Sequence, residues 1–244
     1  MRLIINADDF GRSKIINEAI SQCFRNGVIQ RTTIMVNMPY FNDAIEISKQ
    51  EGFFDKVGLH LNLDDGEPLT DEIKANSHFC EDGYFRDRIF LNPKYRFYLN
   101  SYDQKCVSCE INAQMKRYLE AGFTLRHFDS HHFVHNNLSV LFLVCREARR
   151  MGFKSARIME IRTHDTLIKT CYKKILNSYI RRNFITTGQF IQRLDNFDVK
   201  RGSVEFMVHP VVKDSELLNL VSWNPDRYER FDEYGEVLSR IKNI

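Results

Sequence analysis

Four histidines and an aspartate fall within nine residues of this 244-residue chain, in the run His127-Phe128-Asp129-Ser130-His131-His132-Phe133-Val134-His135. A hydrophobic core does not absorb that many imidazoles, because each buried ring needs a polar partner. On a strand, His127, Asp129 and His131 would share a face. Other ionisable residues follow short apolar runs. Asp8-Asp9 follows Leu3-Ile4-Ile5, His60 sits in Gly58-Leu59-His60-Leu61-Asn62-Leu63, Arg157 and Glu160 close Ser155–Met159, and His209-Pro210 follows Val204–Val208. Imidazoles with carboxylates suit a catalytic divalent ion that keeps positions open for water, lowers the pKa of that water and polarises a carbonyl. On spacing alone, Asp8 and Asp9 are interchangeable as ligands, and His131 is one candidate among four neighbours.

The elements that must position these groups alternate. Strands are expected at 3–5, 32–37, 57–63, 125–128, 155–159, 184–187 and 204–208. Helices are expected at 13–26 (with Ser13 as a cap), 40–50, 103–120, 138–150, 166–180 and, closing the chain, 226–242. Repeated strand–helix units imply a parallel sheet covered by helices, and six or seven of them fit a barrel better than an open sheet. In such folds active sites gather at the carboxyl ends of strands, which is where the polar clusters lie. Residues 64–100 break the pattern. They read as a long excursion over the active-site end of one domain spanning 1–244.

Composition narrows the rest. The charge is 35 basic against 32 acidic residues, a net +3 that argues for neither nucleic acid nor membrane. Residues 145–182 carry 11 Lys/Arg and 3 Asp/Glu, which reads as solvated helix faces. Cys106-x-x-Cys109 has no second pair and reads as two helix positions one turn apart. No apolar run reaches the ~20 residues of a membrane helix. The start of the chain has no signal-peptide pattern, so a cytoplasmic protein with reduced thiols is expected.

Taken in order, these segments resemble the YdjC-like carbohydrate deacetylases, which include the chitooligosaccharide (chitin disaccharide) deacetylases. The resemblance is carried by Asn6-Ala7-Asp8-Asp9-Phe10-Gly11, Thr32–Asn37, Gly58–Leu63 with Gly66 and Pro68-Leu69, His127–His135, Arg157 and Val208-His209-Pro210. It spans nearly the whole chain. It implies a distorted (β/α) barrel related to the polysaccharide deacetylases. It also implies one divalent metal ion, often given as Mg2+ with Zn2+ or another transition metal as the alternative, on Asp9, His60 and His131, and hydrolysis of an N-acetyl group from an amino sugar. Many members read Asp-Ser-His-His-His-Val-His where this chain carries Phe133.

The expected chemistry is attack by metal-activated water, with Asp8 as base, His209 protonating the leaving amine and Arg157 holding Asp8 ionised. Asn37, Asn62, His132, Phe133 and Glu160 are expected to meet the sugar, and Glu160 could also orient Arg157 or His209. Two rivals stand beside this reading. One is a metal-dependent phosphoesterase using Arg157 and Arg162. The other is a carbohydrate-binding homologue without turnover, which Phe133 keeps open. A small carbohydrate is the expected partner, with a homodimer as the default assembly.

Overall fold

The computed structural model describes residues 2–193, 202–221 and 227–231. Its strands are β1 (Arg2–Phe10), β2 (Arg31–Ile34), β3 (Val57–Leu61), β4 (Cys80–Glu81), β5 (Tyr84–Phe85), β6 (His127–Ser130), β7 (Ser155–Ala156), β8 (Gln189–Ile191), β9 (Ser203–Val208), β10 (Pro210–Lys213), β11 (Glu216–Leu220) and β12 (Tyr228–Arg230). The helices are α1 (Lys14–Arg25), α2 (Phe41–Gln50), α3 (Asp71–Lys74), α4 (Pro93–Phe97), α5 (Ser101–Glu120), α6 (Leu138–Arg150) and α7 (Leu167–Asn183). Ser13 caps α1 as expected, its hydroxyl accepting from the Ile16 N–H. Cys106 and Cys109 both lie on α5, and all six cysteines are free thiols.

Seven strands form one parallel sheet in the order β7-β6-β3-β2-β1-β9-β8. The sheet curls until one segment reaches both edges. Ile185 pairs with Ser155 beside β7, and Gln189–Ile191 pairs with β9. The result is the distorted (β/α) barrel that the resemblance implied, closed through an irregular seam. That seam is why the strand expected at 184–187 is a single bridge, with its regular part displaced to β8.

The two faces of the barrel wall differ in chemistry. Ile5, Ala7, Leu59, Leu61, Phe128, Val204, Phe206 and Val208 belong to the buried apolar core. The alternate positions Asn6, Asp8, Thr33, His60, His127, Asp129 and Glu205, joined by Arg157, are also buried but polar. Gly58 belongs to this inner layer for a steric reason. A Cβ there would stand 3.2 Å from His127 Cδ2 and 3.1 Å from Thr33 Cγ2.

Several expectations need correction. Residues 64–100 are not simply irregular: they hold α3, the β4–β5 hairpin and α4. Tyr228–Arg230, inside the expected closing helix, pairs instead with β11 as part of a β10–β11–β12 meander. Residues 226 and 232–242 of that expected helix lie outside the described residues. The strand placed at 155–159 is only two residues long. Among the described residues no helix is long and apolar enough to cross a membrane.

Candidate metal centre

Asp8 and Asp9 are neighbours on β1, and alternation would send them to opposite faces. A register shift between Ala7 and Phe10 breaks that alternation. Asp9 takes φ +68°, a left-handed conformation that aspartate tolerates better than most residues. Both carboxylates therefore line one cleft of about 430 Å³, together with His60, His131, His132, Phe133 and His209. A second device works on the other side. β6 ends at Ser130, and the chain enters a tight turn in which His132 and Phe133 take φ +44° and +57°. The alternation expected to carry His131 on the face of Asp129 stops there, and the turn aims His131 at Asp9 instead.

Asp9 Oδ1 lies 2.9 Å from His131 Nδ1 and 3.3 Å from His60 Nε2. The other nitrogen of His60 lies 2.7 Å from Asp129 Oδ1, the outer carboxylate that fixes the tautomer of a metal-binding histidine. All three candidate ligands are buried. Their separations match the roughly 3 Å expected between neighbouring ligands around an ion with ~2.1 Å bonds. The electrostatics agree. Burial opposes a charge on His60, yet Asp129 and Asp8 raise its pKa to about 10. Burial pushes Asp9 upward, and His131 and His60 more than reverse that, holding it well below the carboxylate range. One carboxylate and two imidazoles at this spacing fit a divalent ion.

Asp8 belongs to a different network. Arg157, fully buried, grips it with both terminal nitrogens at 2.7 Å each. The same guanidinium reaches Asp129 Oδ2 and Glu205 Oε1, each at 2.6 Å. Asn6 donates to Asp8 Oδ1 at 2.7 Å. Burial raises the Asp8 pKa, but Arg157 outweighs it, and the carboxyl titrates below its ordinary value. His209 stands half-buried just past β9, its backbone N–H donating to Asn219 Oδ1 at 2.7 Å. Burial lowers its pKa against the pull of Asp9 and Asp8, so the ring is neutral at neutral pH.

The residues expected to meet the sugar divide. His132 and Phe133 line the cleft. Asn37 and Asn62 do not; their amides are consumed by a loop. Asn37 donates to the carbonyls of Asp65 and Glu67. Asn62 donates to Asn37 and to the Asp65 carbonyl, and accepts from the N–H groups of Asp64 and Asp65. They shape the rim. Glu160 lies in an adjoining pocket with His132, Phe133 and Phe190, accepting from Arg162 Nε at 2.6 Å. The carboxylates that orient Arg157 are Asp129 and Glu205. Glu205 had a visible signal, as a charge inside the apolar run Val204–Val208, and such a residue needs a partner. Arg31, which also reaches Glu205 at 2.7 Å, is the same kind of clue. Arg12, which pairs with Asp9 and Asp65 across the cleft mouth, left none. Phe85 and Asp87 of the excursion and Val211 and Leu220 of the meander complete the walls.

His135 lies behind the cleft and sets a pH limit on the fold. Its Nε2–H donates to the Arg157 carbonyl at 3.1 Å, so Nδ1 must accept from the Ser130 hydroxyl. Burial lowers its pKa to about 3, below the ~6.5 of an exposed histidine. As pH falls through 6.5 the unfolded chain takes up a proton that the folded chain refuses. This contribution to stability is whole above pH 6.5 and drains away toward pH 3, by at most about 1.4 kcal/mol per pH unit. Urea midpoints of the wild type should fall between pH 7 and 5, and His135→Gln should show a shallower slope. Parallel slopes for the two proteins would refute a neutral, buried His135.

Comparison with known proteins identifies the family. The family model for YdjC-like proteins matches residues 2–240. A carbohydrate deacetylase of Thermoanaerobacter pseudethanolicus is 32% identical over 232 residues, covering 92% of this chain and 87% of the relative. One from Clostridium beijerinckii is 31% identical, covering 95% and 90%. The crystal structure of a candidate cellobiose-phosphate cleavage protein from Enterococcus faecalis V583 superposes with a TM-score of 0.68 at 24% identity, over 88% of this chain and 82% of that one, a likeness of fold. A match of this extent, with the Asp-Asp pair and the histidine turn meeting in one cleft, shows that the chain belongs to the YdjC-like family.

Proposed function

We propose that this protein hydrolyses the N-acetyl group of amino sugars or short chitooligosaccharide-like chains, using one divalent ion held by Asp9, His60 and His131. The convergence of one carboxylate oxygen and two imidazole nitrogens beside an ionised Asp8 carries this reading. Its relatives' designation as carbohydrate deacetylases, hydrolases of amide bonds, points to the same chemistry.

When bound, the ion supplies Lewis acidity to water and to the acetamide carbonyl. The chain's own groups do the rest. Asp8, kept ionised by Arg157, takes the proton of the attacking water. Arg157 fixes the direction of that carboxylate and touches no substrate. His209, neutral in the free protein, would first take up a proton from solvent and then deliver it to the amine nitrogen as the C–N bond breaks. His132 and Phe133 form the wall against which the sugar lies. The resemblance implies Mg2+, whereas two imidazoles suit zinc or another transition ion better on donor preference.

Acetate release from diacetylchitobiose, measured with Mg2+, Zn2+ or Mn2+ restored to chelator-stripped protein, tests this. Turnover that depends on one added ion is expected. Sugar binding without acetate, with metal present, would mean a binding protein. Cleavage confined to a phosphoester panel would move the protein to the rival class. Against that rival, Arg157 is wholly committed to carboxylates and Arg162 is paired with Glu160 outside the cleft.

A further inference from the structure

Asp64, His131 and His132 bring ligand atoms within 4.8 Å of one another, next to the Asp9 group. Asp64 is 1% exposed. Its Oδ2 lies 3.0 Å from His132 Nδ1, while its Oδ1 makes no hydrogen bond. His131 Nε2 is likewise buried without a hydrogen-bond partner, with Asp65 Oδ2 at 3.7 Å, beyond reach. A buried carboxylate oxygen left without a partner carries the full cost of its desolvation, and a bound ion is one way to remove that cost.

Two other groups of potential ligands exist among the described residues: Asp8, His60 and Asp129, and His127, Asp129 and Glu205. Every carboxylate in them is held by Arg157 at 2.6–2.7 Å. A guanidinium on the donor oxygens leaves no room and no charge for a metal. The Asp64 group has no such occupant on Oδ1.

Both halves of the Asp64 group are held rigidly. Asn62 accepts the backbone N–H of Asp64 at 3.2 Å and of Asp65 at 3.1 Å, fixing the loop. On the other side, two consecutive non-glycine residues at positive φ, His132 and Phe133, hold the turn. Such backbone strain persists only where surrounding contacts enforce it. The Asp64–His132 separation, 3.0 Å, repeats the spacing within the Asp9 group.

We propose that Asp64, His131 and His132 form a second divalent-cation site, of the transition-ion type, adjoining the first and sharing His131 with it. This rests on the reading that Asp9, His60 and His131 hold the first ion. His131 presents Nδ1 toward Asp9, leaving Nε2 for the second ion. Asp64 and His132 line both the catalytic cleft and the adjoining pocket of Glu160 and Phe190. The second ion would therefore sit where a sugar extending out of the cleft must pass.

The test is stoichiometry. Chelator-stripped protein is dialysed to equilibrium against Mn2+ or Zn2+ alone, and bound metal is counted by mass spectrometry. Two ions per chain are expected for the wild type, and one for Asp64→Asn and for the more exposed His132→Gln, with circular dichroism confirming that each is folded. Asp9→Asn should remove the first ion. One ion in the wild type, unchanged in Asp64→Asn and lost in Asp9→Asn, overturns the second site and leaves the proposed function standing. One ion lost in both Asp64→Asn and Asp9→Asn means a single enlarged site and also overturns it. A wild type that binds no ion overturns both readings.

Discussion

Arg157→Leu is expected to destabilise the protein by about 3–5 kcal/mol or more, the range for leaving a buried charge without its partner. Arg157 is 0% exposed and serves Asp8, Asp129 and Glu205 at once. Leucine removes the only cation among the described residues that bridges all three. Glu205 keeps Arg31, but Asp8 and Asp129 keep no guanidinium in the described contacts. Arg157→Lys retains the charge yet cannot reach three carboxylates with one ammonium, so an intermediate loss is expected. Urea denaturation measures both. A second signature separates this from simple cavity formation. Carboxylates left unpaired in the interior have raised pKa values, so they take up protons in the folded state first. The deficit of Arg157→Leu should therefore shrink as pH falls from 7 toward 5. A loss under about 0.5 kcal/mol, typical of surface positions, would mean that the network is not what holds the barrel interior together.

Asp9→Asn is the second large effect. Asparagine suits the test better than alanine, because position 9 sits at φ +68° and asparagine tolerates that conformation. The variant keeps shape and backbone while removing the charge that gathers His60 and His131. Loss of an outer-shell partner costs 10–100-fold in metal affinity, so loss of a direct ligand should exceed a hundredfold, and acetate release should disappear with it. His209→Ala offers the contrast: a slower reaction with metal content intact. Wild-type turnover in Asp9→Asn would show that the ion, if needed, sits elsewhere. Loss of metal in His209→Ala would mean that His209 is a ligand and not the acid.

Much of this protein was legible in the chain. Period and punctuation located most helices and strands, and polar clusters at strand ends located the cleft, because parallel α/β architectures collect chemistry there. Other features were decided only in three dimensions. A one-residue register shift at Ala7–Phe10 lets adjacent aspartates face one cleft, and nothing in the local pattern announces a bulge. Sequence could mark Glu205 and Arg31 as charges needing partners, but pairing across the barrel depends on how far the sheet curls. Asn37 and Asn62 looked like substrate contacts because polar residues at strand ends often are; the loop between Asp64 and Glu67 consumed them. The residue types thus pointed to an ion site and a base at the strand ends. What sets Asp9 beside His60 and His131, and Asp8 against Arg157, is the bulge, the strained turn at His132–Phe133 and the three-way grip of Arg157, all consequences of long-range pairing that no window of sequence contains.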